Sequence, residues 1–302
     1  MPSAPSTGPA IDLQLLADLP ALPLKARYLV EGYLNGQHRS PLKGHSVEFA
    51  EYRAYQPGDD LRHLDWRYYG RSDRLCVKRF EEETQLRVVL LLDASLSMDY
   101  RSGAAPMTKL DYARVVLAAL ATLVRRQHDA AGVGILRHDL TAYLPARSSR
   151  SHLQDVINRL GGEPPLGKCD AAFALSSLAA ILKRRAMVVI ASDFYEESPA
   201  LAQALRRLRY AGHEVIGLQV LDPLEMDLSP AEAGYYQDAE TGVRFPVSPG
   251  EVRRSYLAQF QEFRDRVNGM FREVGGDFIE LRTDEAPIRA LGSYLAKREH
   301  RR

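Results

Sequence analysis

The stretch VVLLLDASLSMDY, residues 88–100, decides the fold of this chain, because a continuous apolar run ends in it at an acid. Five apolar residues precede Asp93, and two hydroxyl side chains follow at Ser95 and Ser97. Such a run is typical of a strand that is buried on both faces of a parallel sheet. The polar residues after it have two interpretations. They form either a turn, since Asp and Ser favour turns and helix caps, or a ligand site at the edge of a sheet.

Strand and helix patterns alternate from residue 87 to the end of the chain. A second buried strand, AMVVIASD at 186–193, also ends in an acid, Asp193. This alternation predicts a three-layer α/β, Rossmann-like fold with a central six-stranded, mostly parallel sheet. A polar turn at His138 and Asp139 predicts one hairpin within it, and a hairpin insertion is predicted near 233–247.

The chain before residue 87 is less regular. Residues 1–19 are predicted to be a disordered or loosely attached N-terminus, since the first nine residues are rich in Pro, Ser, Gly and Ala. Two short amphipathic helices are predicted between residues 11 and 36. Residues 20–86 are expected to form a small β-containing appendage, with an irregular, strand-containing segment at 61–83. Residues 87–302 are then the main domain.

Composition and charge exclude several classes of protein. The 302 residues carry a net charge of +1, which favours neither a nucleic-acid partner nor a membrane surface. The two cysteines, Cys76 and Cys169, are far apart and suit a reducing compartment. We find no secretory signal and no window near the ~18–20 apolar residues of a membrane span. We expect a cytoplasmic protein without membrane insertion.

The polar residues that end the two buried strands predict a metal site. Ligands of open α/β sheets bind at the carboxyl ends of the strands. If the two strands are neighbours, Asp93 and Asp193 face one crevice together with Ser95 and Ser97. Oxygen ligands suit a hard divalent cation such as Mg²⁺, and neutral hydroxyls would leave it able to accept a partner's carboxylate. The alternative is that Asp93 caps a turn and the serines satisfy loop amides.

Two segments resemble known families. Asp93-Ala94-Ser95-Leu96-Ser97 resembles the metal-ion-dependent adhesion site of von Willebrand factor A domains. Residues 48–83 resemble the bacterial family called domain of unknown function 58, which pairs a segment R-x-Y-x-x-G-D-D-x-R-x-I-D-W with an A-type domain. Leu64 stands where that family often has Ile. The matching residues are Arg53, Tyr55, Gly58, Asp59, Asp60, Arg62, Asp65 and Trp66.

The resemblance implies a ligand set for Mg²⁺, with Mn²⁺ or Ca²⁺ as alternatives. The residues that carry over directly are Asp93, Ser95, Ser97 and Asp193. The family usually has a threonine in its middle loop, and this sequence has Cys169 there. A thiol is a soft, poor ligand for Mg²⁺. Asp170, the next residue, could compensate directly or through water.

The segment PGDDLRHLDW, residues 57–66, has two interpretations of its own. Its charged residues could form an internal ion-pair lattice that joins the N-terminal portion to the main domain, because buried charges are normally paired. They could instead form a docking face for a partner. The residues concerned are Asp59, Asp60, Arg62 and Asp65.

Enzyme signatures are missing from the sequence. It has no G-x-S-x-G elbow, no Walker A motif and no H-E-x-x-H, so we expect no enzymatic activity. The resemblance implies a protein-binding adaptor that works with a MoxR-type AAA+ ATPase in the assembly or maturation of an unknown client protein. Two alternatives stay open. One is a metal-free structural scaffold, and the other is a metal-dependent hydrolase, which would need a general base near Asp93.

Overall fold

The computed structural model describes residues 11–37, 51–54, 66–72, 75–79, 85–229, 233–288 and 290–292. These residues belong to two compact units. The larger contains the described residues up to 37 and from 85 onward, and the smaller contains those between 51 and 79.

Strands and helices alternate along the larger unit as the sequence predicts, and the smaller unit adds two strands and one helix. The strands, in chain order, are β1 Glu51–Ala54, β2 Cys76–Arg79, β3 Arg87–Asp93, β4 Ala130–Leu136, β5 Leu140–Arg147, β6 Met187–Ser192, β7 Glu214–Leu221, β8 Gly234–Gln237, β9 Arg244–Val247 and β10 Asp277–Arg282. The helices are α1 Leu13–Asp18, α2 Leu22–Gln37, α3 Trp66–Ser72, α4 Lys109–Arg126, α5 Arg150–Gly162, α6 Ala171–Ile181, α7 Pro199–Tyr210, α8 Pro223–Asp227 and α9 Pro249–Glu273.

A six-stranded sheet with the order β10-β7-β6-β3-β4-β5 lies at the centre of the larger unit. Its neighbouring strands pair in parallel, except that β5 is antiparallel to β4. The two strands that end in acids are neighbours, with Leu92 of β3 opposite Ala191 of β6. Their carboxyl ends therefore share one edge of the sheet.

The apolar run of β3 divides between two cores. Leu90 and Leu92 face the core that contains α4, α5 and α2, whereas Val89 and Leu91 face α6, α7 and α9. All four side chains are at most 1% exposed. Full burial of such a side chain contributes roughly 1.5–3 kcal/mol to stability, so both layers hold the sheet firmly. This arrangement confirms the predicted three-layer, Rossmann-like α/β fold.

The N-terminal helices are part of the larger unit. Leu16 of α1 and Leu29 of α2 are fully buried in the same core as α4, and α2 packs against α4. Helix α4 is apolar on almost every side, so it needs a cover on the face that turns away from the sheet. Residues 11–19 are therefore not loosely attached. Residues 22–37, expected to belong to the appendage, also lie in the larger unit.

The smaller unit contains β1 and β2, which pair antiparallel, and helix α3 between them. The strand content of the expected appendage is confirmed. The helix was not predicted, because seven residues with unevenly spaced apolar positions show no helical period. The candidate partner-binding residues Asp59, Asp60, Arg62 and Asp65 lie outside the described residues.

The insertion between β7 and α9 consists of α8 and a hairpin. Strands β8 and β9 pair antiparallel around residues 238–243, which confirms the hairpin predicted near 233–247. Helix α8 was not predicted. It starts at a capping box, in which Asp222 and Glu225 each bond to the other's backbone. Among the residues that the structure describes, no helix is both long and apolar enough to cross a membrane.

Candidate metal-binding site

A recess of about 20 Å³ lies at the carboxyl ends of β3 and β6. A site of this size holds about one water molecule or one ion. Three loops supply its walls, and each follows a strand or precedes a helix of the central sheet. Among the residues that line the recess are Asp93, Ser95, Ser97, Cys169, Ser192, Asp193 and Glu196.

Asp93 is buried, and both its carboxylate oxygens are hydrogen bonded. Oδ1 accepts from the backbone amide of Ser95 at 2.9 Å, and Oδ2 accepts from the hydroxyl of Ser192 at 2.5 Å. Burial and the nearby charge of Asp193 raise the pKa of Asp93 to about 6, although these hydrogen bonds oppose the shift. Asp93 thus caps its own turn, as one interpretation predicted, and it also presents its carboxylate to the recess.

The two serine hydroxyls that follow Asp93 lie side by side. Their Oγ atoms are 3.0 Å apart. Ser95 precedes a 3-10 helix at Leu96–Asp99, so the two hydroxyls meet at the start of this helix. Backbone hydrogen bonds tie this loop to the middle loop. The amide of Leu96 donates to the carbonyl of Gly167 at 2.9 Å, and the amide of Leu166 donates to the carbonyl of Ala94 at 2.8 Å.

The middle loop places Cys169 in the recess but directs Asp170 elsewhere. Cys169 is buried, and burial together with Asp93 and Glu196 raises the pKa of its thiol. The thiol therefore stays neutral at physiological pH. Asp170 is not among the side chains that line the recess. Its Oδ1 accepts from the amide of Phe173 at 2.8 Å and caps α6.

Asp193 faces the recess and is also paired with a buried cation. Its Oδ2 accepts from Nζ of Lys109 at 2.9 Å, and its Oδ1 accepts from the amide of Tyr195 at 3.3 Å. Lys109 is fully buried and reaches Oε1 of Glu225 at 2.6 Å as well. Burial disfavours its charged form, but Asp193 and Glu225 outweigh this and raise the pKa of Lys109. The ammonium therefore keeps its charge.

The backbone is strained between Asp193 and Tyr195. Phe194 has φ of 57°, in the left-handed region that non-glycine residues rarely adopt. Its amide donates to the Ser192 hydroxyl at 2.9 Å, and its buried ring packs on Phe271 with 5.4 Å between centroids. Strain of this kind is found mainly at functional sites, where the surrounding structure enforces it.

A larger cleft of about 550 Å³ adjoins the recess and shares Ser97, Cys169 and Tyr195 with it. Residues 236–240 of the β8–β9 hairpin form one side of this cleft. Lys168 and Glu240 form an ion pair across it at 3.2 Å, with the lysine side chain 65% exposed.

The residues of the recess fit a hard cation, but only as a weak site. Carboxylate and hydroxyl oxygens are suitable ligands for Mg²⁺. Within the described parts of the chain, however, no three His, Cys, Asp or Glu residues are grouped as a metal site. Four carboxylates line the recess: the buried Asp93 and Asp193, the exposed Glu196, and Glu240, which is paired with Lys168.

Sequence reasoning missed several residues of this arrangement, including Glu196, which lines the recess. Ser192 directly precedes Asp193, so its position at the same strand end was a usable signal. Lys109 and Glu225 gave no local signal, because Lys109 lies 84 residues from Asp193 and 116 residues from Glu225 along the chain. Only the folded sheet brings them beneath the recess.

Comparisons with known proteins find relatives of this chain. The model of the family described as "Protein of unknown function DUF58" matches residues 51–266, which include every residue that lines the recess. "Uncharacterized protein Rv1480" of Mycobacterium tuberculosis is 31% identical over 292 residues, which are 95% of this chain and 90% of the relative.

Two solved structures resemble the chain more distantly. The conserved hypothetical protein BatB from Bacteroides thetaiotaomicron has a TM-score of 0.50 at 15% identity, over 71% of this chain and 99% of that one. The SpRpn10 VWA domain has a TM-score of 0.41 at 9% identity, over 70% of this chain and 95% of that one. At 15% identity, the likeness to BatB concerns the fold alone.

Proposed function

This chain belongs to the DUF58 family of proteins of unknown function, and we propose that it is a protein-binding adaptor whose recess binds a divalent cation. One observation carries the proposal. Asp93, Asp193 and two adjacent serine hydroxyls, from loops 100 residues apart in the sequence, line a single recess of about 20 Å³. Oxygen donors around a site of that size suit one hard cation, with Mg²⁺ as the first candidate and Mn²⁺ or Ca²⁺ as alternatives.

The chain's own residues have distinct roles in this proposal. Asp93 supplies the principal charged ligand, and Ser192 fixes its second oxygen by a hydrogen bond. Ser95 and Ser97 supply neutral oxygens. A bound cation would offer a coordination position to a carboxylate oxygen from outside the chain. No step of this scheme makes or breaks a covalent bond, so we propose a role in binding instead of catalysis.

The partner in this proposal is a protein segment that presents an Asp, a Glu or a carboxyl terminus. The cleft of about 550 Å³ beside the recess provides room for such a segment. The resemblance described above suggests a MoxR-type AAA+ ATPase and an unknown client as the proteins to test first. Binding of this kind would fall when the cation is removed.

The test is recovery of the ATPase or a client from native cell extract on immobilised protein, in Mg²⁺ and in EDTA. Asp93→Ala should lose capture in Mg²⁺ while staying folded, because Asp93 lies at a strand end outside the two apolar cores. Asp155→Ala, which removes an exposed acid from α5, is the matched control and should capture normally. If Asp93→Ala in EDTA captures as much partner as wild type does in Mg²⁺, the proposal is overturned.

A metal-free scaffold is the second candidate, and the Lys109–Asp193 ion pair favours it. The ammonium at 2.9 Å already neutralises one of the two acids without any metal. The two candidates differ in one simple measurement. A scaffold of this kind melts at the same temperature with and without MgCl₂, whereas a cation-binding adaptor is stabilised by the ion.

A further inference from the structure

Lys109 is a buried cation that lies outside the recess but touches one of its walls. It is the first residue of α4, and its side chain is 0% exposed. Its Nζ contacts Asp193 at 2.9 Å and Glu225 at 2.6 Å, and it lies 4.7 Å from the centroid of the Tyr195 ring. Two carboxylates and an aromatic face therefore hold one ammonium in a dry environment.

Glu225 is held in place independently of Lys109. Its second oxygen, Oε2, accepts from the backbone amide of Asp222 at 2.9 Å in the capping box of α8. The hydroxyl of Tyr256 in α9 donates to its backbone carbonyl. The Glu225 side chain is 15% exposed, so its charge is only partly screened by water.

The charges of this buried group do not cancel. Asp93, Asp193 and Glu225 are three carboxylates, and Lys109 is the one ammonium among them. When all are ionised, two negative charges remain in this buried group, and the exposed Glu196 at the recess adds one more. The other ion pair near the recess, Lys168 with Glu240, is balanced and largely in contact with water. Charges inside the fold interact more strongly than exposed ones, since the surroundings are less polarisable.

We infer that Lys109 and Glu225 set the affinity of the recess for a divalent cation, although neither residue lines it. The inference rests on the proposed function. Lys109 repels an incoming cation and occupies Oδ2 of Asp193, whereas Glu225 attracts the cation and offsets Lys109. The pair keeps the recess weak enough that a partner's carboxylate is needed for tight binding, and both act as positioning residues.

A series of charge variants tests this, with Mg²⁺ titrated by calorimetry into the full chain. Lys109→Met increases the net negative charge by one, so affinity should rise about tenfold or more. Glu225→Gln decreases it by one, so affinity should fall about tenfold or more. The double variant restores the original net charge and should bind within about threefold of wild type. A purely structural role for Lys109 would instead weaken binding in every variant that lacks it.

Folding of the variants is checked by melting without Mg²⁺. Lys109→Met leaves two buried acids unpaired, and it is the variant that could fail to fold. Glu225→Gln keeps the shape of the glutamate. If Lys109→Met does not fold, the Mg²⁺ affinity of Glu225→Gln alone tests the inference. If wild type binds Mg²⁺ but the variants do not follow this order, the inference is wrong and the proposed function stands. If all four proteins ignore Mg²⁺, both are wrong.

Discussion

The carboxyl group of Asp93 links the site to pH. Burial and Asp193 raise its pKa from 3.8 to about 6, so the folded protein keeps a proton that the unfolded chain has lost between these values. The metal-free protein should therefore lose stability as pH rises from about 4 through 6. Asp93→Asn removes this loss. In EDTA at pH 7.5, its free energy of unfolding should be up to about 3 kcal/mol higher than that of wild type.

Urea unfolding at pH 4 and pH 7.5 measures this difference. At pH 4 the difference should shrink to less than about 1 kcal/mol, because Asp93 is protonated in the folded protein and partly protonated in the unfolded chain. Asp155→Asn, at an exposed position, should match wild type at both pH values. If Asp93→Asn is the less stable protein at pH 7.5, the hydrogen bonds from Ser95 and Ser192 outweigh the burial of charge.

Cys169 makes a second prediction at the scale of one residue. Cys169→Thr should tighten Mg²⁺ binding by roughly fivefold or more, because a hydroxyl oxygen is a harder ligand than a neutral thiol. Cys169→Val has nearly the shape of threonine without the hydroxyl and should give no gain. Calorimetry on both variants separates ligation from packing. Equal affinities for the two would mean that the middle loop does not contact the cation.

At the scale of elements, the contact between β7 and α9 depends on a glycine. A Cβ atom at Gly217 in β7 would lie 2.6 Å from the ring of Phe271, a buried residue of α9. Gly217→Ala should therefore lower the free energy of unfolding by about 1–3 kcal/mol. Gly269 also lies in α9, with open space around it. Gly269→Ala should be neutral or slightly stabilising. Thermal melting of both variants tests the contact, and equal stability would show that the ring moves freely.

The long elements were predictable from sequence, and the short ones were not. Strands β3 and β6 are continuous apolar runs, helix α4 is long enough to show its helical period, and the turn between β4 and β5 is polar. Helices α3 and α8 have only seven and five residues, so neither completes a recognisable pattern. The position of α1 and α2 depended on the apolar face of α4 that turns away from the sheet, a tertiary feature that sequence spacing does not reveal.

The same distinction applies to the site. Asp93 and Asp193 could be placed in one recess because the carboxyl ends of neighbouring parallel strands meet at one edge. The cation that pairs with Asp193 could not, since Lys109 begins a helix like many other lysines. Its partners are defined only when α4, β6 and α8 pack together.

For the whole molecule, the proposed function predicts a Mg²⁺-dependent melting temperature. An ion at about 100 times its dissociation constant stabilises the folded state by about 2.7 kcal/mol. With an unfolding entropy of about 2.1 cal/mol/K per residue, this should raise the melting temperature of a 302-residue chain by about 4 °C. NaCl of equal ionic strength should not, and Asp93→Asn should abolish the shift. An unchanged melting temperature in wild type would favour the metal-free scaffold.

The strand order also has a consequence for biosynthesis. In the series β10-β7-β6-β3-β4-β5, each strand joins the outside of the sheet already made as the chain emerges from the ribosome. None of these six strands has to enter between two others, so folding can follow translation from the centre outward. The apolar strand β7 is nevertheless an open edge until β10 has been made. A nascent chain stalled before residue 277 would expose that edge, and we expect it to aggregate.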